Sequence, residues 1–169
     1  KEQGLDHLID VEQGNFEDLP YEDNSYDIVW CQDSILHSGN KELVFKEVAR
    51  VLKPGGHFIF TDPMQADDCP EGVLGPVLKQ IHLDSMGSVE KYRKMANDLG
   101  MDEIETIEQA ALLPRHYGRV LEELKKNENM LQDKVSQEYI DHMKEGLGHW
   151  VEKGNNGYLN WGILHFKLQ

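Results

Sequence analysis

Cysteine is scarce. Only Cys31 and Cys69 occur in 169 residues, too few for a disulfide framework and without the spacing of zinc ligands. Both read as reduced thiols, Cys31 buried in a strand and Cys69 in a loop. No apolar run is long enough to cross a bilayer. The opening Lys1-Glu2-Gln3-Gly4-Leu5-Asp6 does not read as a signal peptide. These absences point to a cytoplasmic protein with no membrane partner. Bases are few as well: 17 Lys and Arg stand against 31 Asp and Glu, for a net charge of −14. That balance excludes a general binder of nucleic-acid backbones and disfavours an anionic membrane surface. The plain reading is a soluble acidic protein. A sharper one is a high-salt cytoplasm, where dense carboxylates stay hydrated and their repulsion is screened. Repeats and low-complexity tracts are missing too, and the length suits a single core.

What is present is an alternation of strands and helices. Residues 8–12 are a short β-rich piece, and the apolar run 26–30 reads as a strand covered on both faces. Asn40 suits the cap of a helix running to residue 52, where Pro54-Gly55-Gly56 stops it, and residues 57–61 form the next strand. Residues 62–75 are loop-like, and 73–82 are a short helix. Ser88 opens a helix that Gly100 closes. Residues 101–109 read as a strand, 117–131 and 136–153 as helices, and 157–168 as a final strand. Such an order belongs to an α/β layered fold. The strand at 26–30 leads into Asp33 and, four residues on, His37. That is where an open α/β sheet builds a site, at the carboxyl ends of its strands.

Three strings carry a family resemblance: Gly14-Asn15-Phe16-Glu17-Asp18-Leu19-Pro20-Tyr21, Tyr26-Asp27-Ile28-Val29-Trp30 and, most specific, Leu52-Lys53-Pro54-Gly55-Gly56. Together they resemble the downstream half of a class I S-adenosylmethionine (SAM) methyltransferase. Cys31-Gln32-Asp33-Ser34-Ile35-Leu36-His37-Ser38, Thr61-Asp62-Pro63-Met64, Asp84-Ser85-Met86-Gly87-Ser88, His116-Tyr117, Leu147-Gly148-His149-Trp150 and Trp161-Gly162 extend it across nearly the whole chain. These resemble the sarcosine/dimethylglycine N-methyltransferases, which make glycine betaine. The resemblance implies a Rossmann-like sheet, here with its N-terminal strands missing, in one partial domain over residues 1–169. It implies helical lid segments at about 64–90 and 112–156, SAM as methyl donor, a small-molecule acceptor and no metal. The family's Gly-x-Gly-x-Gly loop occurs nowhere in the chain. The expectation is therefore a fragment, or a chain whose missing N-terminal half is supplied by another polypeptide, with a homo-oligomer as the alternative partner.

The acceptor amine must be held in line with the methyl and left unprotonated. By resemblance to phosphoethanolamine methyltransferases, which share the Asp33 and His37 pattern, Asp33 contacts the amine and His37 positions or deprotonates it. A helix beginning after Gln32 would put the two on one face; a plain helix-capping role for Asp33 is equally open. Arg115, His116 and Tyr117 are the candidates for the substrate carboxylate, since Arg grips carboxylates in bidentate fashion. His82 and Met86 fall in the lid region, and Asp62 at a strand end beside the substrate. Trp161 and Tyr158 read as core aromatics, with contact to a methylated ammonium as the other reading. Asn15 and Phe16 match the family's adenine contact, and Trp30 and Gln32 its cofactor floor. Three functional readings remain: N-methylation of sarcosine and dimethylglycine, a phosphoethanolamine-type or other small-molecule methyltransferase, and an inactive fragment or binding subunit. His82 and Asp84, where a phosphate grip would be expected, argue against a phosphorylated substrate.

Overall fold

The computed structural model describes residues 4, 5, 7–131 and 134–169. Four strands form one sheet: β1 (Tyr26–Gln32), β2 (Leu52–Gln65), β3 (Met101–Glu108) and β4 (Leu159–Leu168), in the spatial order β1-β2-β4-β3. β1 and β2 are parallel, joined by helix α1 (Lys41–Val51), and β4 runs antiparallel to both of its neighbours. The Asn40 side chain accepts the Leu43 N–H at 3.1 Å and so starts α1, whose Val44, Phe45, Val48 and Val51 are buried. The Pro54-Gly55-Gly56 turn does not precede β2 but bulges from it. Register jumps there from Tyr26 opposite Leu52 to Ile28 opposite His57. Gly55 has φ +82°, and a Cβ on Gly56 would lie 2.8 Å from the Lys53 carbonyl oxygen, so neither position admits another residue without strain.

One face of the sheet carries the main core. Phe45 of α1 stacks on Tyr92 of helix α3 (Val89–Asp98) with centroids 5.5 Å apart, and both meet Phe60 edge-on. Phe58, Leu164 and Phe166 complete the cluster. Each such side chain withdrawn from water contributes roughly 2–3 kcal/mol. Ser88 caps α3 by accepting the Lys91 N–H at 3.3 Å, and Gly100 at φ +74° follows it.

The opposite face changes the expected picture. Val29 and Cys31 of β1 pack on the core, but Ile28 and Trp30 are each 59 % exposed, so β1 is covered on one face only. Residues 8–12 form no strand; Leu8 is 70 % and Val11 91 % exposed. β propensity there finds no neighbouring strand among the described residues, and a lone strand is not stable in water.

Helices α2 (Gly75–Gln80), α4 (Leu112–Leu131) and α5 (Gln137–Asn155) gather beyond the carboxyl ends of β1 and β2. A smaller core of Leu36, Leu74, Val77, Leu113, Trp150 and Leu159 joins them to the sheet. α4 begins at Leu112, not at 117, because Pro114 falls in its first turn, where a missing N–H costs nothing. α5, capped by Ser136, runs through Gly154, whose small size lets Pro114 approach: a Cβ there would lie 2.9 Å from the proline ring. The left-handed residue beyond the helix is Gly157, at φ +78°.

Candidate active site

The end of β1 opens into a cavity of about 880 Å³. Asp33 and His37 line it from the segment after β1, His82 from the turn after α2, and Arg115, His116 and Tyr117 from α4. Six residues expected at the active centre from sequence thus share one space. The expected helix after Gln32 does not form. Only a 3-10 turn, Ile35–His37, is present, and Asp33 precedes it with φ +47°. Asp33 is not a cap: its backbone N–H donates to the Thr61 carbonyl at 2.9 Å, and its Oδ1 accepts the Thr61 hydroxyl at 2.8 Å and the Trp161 indole N–H at 2.9 Å. His82 also has a positive φ, +56°. Left-handed backbone at two non-glycine residues of one cavity is strain of the kind that gathers at functional sites.

His37 is exposed at the end of its 3-10 turn, and its neighbours hold that turn in place. The Leu36 N–H donates to Asp62 Oδ1 at 2.9 Å, and Lys41 Nζ donates to the Leu36 and Ser38 carbonyls at 3.2 and 2.9 Å. The Ser38 hydroxyl donates to Glu17 at 2.5 Å. Asp62 therefore does not line the cavity. It is fully buried, and its second oxygen accepts the Tyr92 hydroxyl at 2.5 Å. Burial pushes its carboxyl up to about 7, against the opposing pull of the Tyr92 and Leu36 hydrogen bonds and the Lys41 charge. Met86 is likewise buried in the smaller core and does not line the cavity.

Trp161, read as a core aromatic, lines the cavity through β4, as do Arg119 on α4 and Tyr139, His142 and Trp150 on α5. Arg119 carried a usable signal: once Arg115 lies on a helix, the residue four further on shares its face. Trp161 was legible as a core aromatic or as a contact for a methylated ammonium, but its hydrogen bond to Asp33, 128 residues away, left no local signal. Tyr117 stacks near Trp150 at 4.6 Å, and its phenol is pushed up by burial and by the Asp33 carboxylate. The lining thus holds two arginines, four histidines and one carboxylate, in a chain whose net charge is −14.

The residues expected at the cofactor lie outside this cavity. Asn15 is exposed, its Oδ1 accepting the Glu17 N–H at 3.0 Å in a local turn. Phe16 packs on the main core, while Trp30 and Gln32 are exposed along the edge strand. An exposed indole and free amide groups beside a strand end suit a purine ring. The sequence supplies no Gly-x-Gly-x-Gly loop beside them.

Residues 1–60 match the family described as "Methyltransferase domain". The chain is 58 % identical over 167 residues to a sarcosine/dimethylglycine N-methyltransferase of Halorhodospira halochloris, covering 99 % of the chain and 60 % of that protein. It is 57 % identical to the protein of the same description from Aphanothece halophytica, covering 98 % of the chain and 60 % of the relative. Among solved structures, a putative sarcosine dimethylglycine methyltransferase from Galdieria sulphuraria superposes with a TM-score of 0.94 at 42 % identity, covering 98 % of the chain and 61 % of that one. The chain spans about 60 % of the length of the curated relatives it matches.

Proposed function

The chain has the fold of a class I methyltransferase and resembles sarcosine/dimethylglycine N-methyltransferases, and from that premise we propose that the complete protein methylates the nitrogen of sarcosine and dimethylglycine to give glycine betaine, with SAM as donor. The observation that carries this reading is the cavity's charge pattern: one carboxylate, Asp33, at the tip of β1 and two arginines, Arg115 and Arg119, on α4 line the same space. A small zwitterionic amino acid, ammonium to Asp33 and carboxylate to Arg115 and Arg119, has the matching polarity. SAM, when bound, supplies an electrophilic methyl on a sulfonium. Asp33 receives the acceptor's ammonium and faces the positive charge that returns to nitrogen as the new bond forms. His37 takes the proton that must leave before the lone pair is free, a task suited to imidazole near neutral pH. Asn15, Phe16, Trp30 and Gln32 hold the adenine side of the donor. Segments 64–90 and 112–156 act as the lid that closes over both.

Glycine betaine is an osmolyte, which gives the chain's acidity a setting in a salt-stressed cytoplasm. No described helix is long and apolar enough to cross a membrane. The exposed face of β1 favours cover from further length of the protein or from a second copy.

Methyl transfer by the complete protein to sarcosine, dimethylglycine and phosphoethanolamine tests the reading. Turnover is expected with the first two. His37→Ala is expected to lower kcat by about a hundredfold or more with SAM affinity unchanged. Turnover of phosphoethanolamine in their place, or none of the three, overturns it.

A further inference from the structure

Asp33 is held on one side only. Both side-chain donors that reach it, the Thr61 hydroxyl at 2.8 Å and the Trp161 indole N–H at 2.9 Å, converge on the same oxygen, Oδ1. The Thr61 oxygen also accepts the Asp33 backbone N–H at 3.2 Å, so one threonine fixes both the main chain and the carboxylate of Asp33. Among the described residues nothing donates to Oδ2, and Asp33 lines the cavity. An ionised carboxylate offers about four acceptor positions, and an indole N–H can only donate. The arrangement thus occupies Oδ1 with two donors and leaves the acceptor positions of Oδ2 open toward the cavity. Its three members sit on three adjacent strands: Asp33 at the end of β1, Thr61 in β2 and Trp161 in β4, where it pairs with Pro63.

We propose that Trp161 is a positioning residue, which with Thr61 clamps Asp33 Oδ1 so that Oδ2 is presented to the ammonium of the methyl acceptor. The proposal rests on the reading of the cavity as an amino-acid N-methylation site. It gives Trp161 a role different from packing against methyl groups: its N–H matters more than its ring. The left-handed backbone of Asp33, φ +47°, is maintained by the same contacts. A carboxylate set by strands, not by a loop side chain free to rotate, is already oriented when the acceptor arrives.

The test is a double-mutant cycle in the complete protein. Trp161→Phe keeps an aromatic ring and removes the N–H; Thr61→Val keeps the shape and removes the hydroxyl. Each is expected to lower kcat/KM for dimethylglycine about tenfold, the size of a hydrogen bond to a charged group, while the dissociation constant for SAM stays put. Against an Asp33→Asn background, Trp161→Phe is expected to cost less than about twofold. Equal losses in both backgrounds mean that the ring packs and does not position, which overturns the proposal. The ¹H–¹⁵N resonance of the Trp161 indole gives a readout independent of turnover, and it is expected to move on Asp33→Asn. If the wild type methylates neither sarcosine nor dimethylglycine, the functional reading fails and this resonance alone decides the clamp. An unmoved resonance overturns it.

Discussion

Asp62 shows how a buried residue near a strand end can support a cavity without lining it. It receives the Leu36 N–H and the Tyr92 hydroxyl, and so ties the turn bearing His37 to the core. Burial raises its carboxyl from 3.8 to about 7, with Lys41 opposing the rise and Asp33 adding to it. A raised acid holds its proton more tightly folded than unfolded. Its contribution to stability is therefore intact below the unfolded value of 3.8, falls away as pH climbs toward about 7, and is level above that. Urea unfolding of wild type and Asp62→Asn across this window is the check. The wild type is expected to lose stability relative to the variant, on the order of 4 kcal/mol at most, between the two limits; parallel curves contradict the assignment. At this scale the sequence disclosed residue types better than their duties. Asp33, His37, Arg115, His116 and Tyr117 are visible as chemistry near strand ends. That Asp62 points inward and Trp161 binds Asp33 depends on pairings 26 and 128 residues long, for which local pattern has no signal.

Elements were legible where a cap or a breaker marks them. Asn40, Ser88 and Ser136 open helices, and Gly100 closes one, each by hydrogen-bonding or backbone geometry that follows from its own side chain. The start of α4 was hidden because proline reads as a breaker although it is welcome in a first turn. Residues 8–12 misled for the opposite reason, since a β-rich string is a strand only when something pairs with it. Packing between elements was invisible. α5 approaches α2 so closely at Gly146 that a Cβ there would fall 1.6 Å from the Gln80 side chain, which lines the cavity. Gly146→Val is expected to turn the Gln80 side chain aside and so raise KM for the acceptor, with SAM affinity and the midpoint of unfolding little changed. Thermal unfolding and steady-state kinetics on the same preparation check it, and a variant with wild-type KM would show that this seam does not shape the acceptor site.

For the molecule as a whole, the sheet divides the labour. One face holds the aromatic core, and the carboxyl ends of β1 and β2 hold Asp33 and Thr61, with α4 supplying two arginines and α5 a histidine to the same cavity. Two arginines and four histidines concentrated in one cavity of a chain with net charge −14 make it an attractive place for a carboxylate, and the lone Asp33 an attractive place for an ammonium. The other face leaves Ile28 and Trp30 exposed along an edge strand. Asp33 is set by the sheet and the arginines by α4 beyond it, and in the proposed reading the acceptor bridges the two. A crystal structure of the complete protein with S-adenosylhomocysteine and dimethylglycine tests this most directly. The acceptor nitrogen is expected next to Asp33 Oδ2, with its carboxylate against Arg115 or Arg119; dimethylglycine bound in the reverse direction, or outside this cavity, would contradict the account.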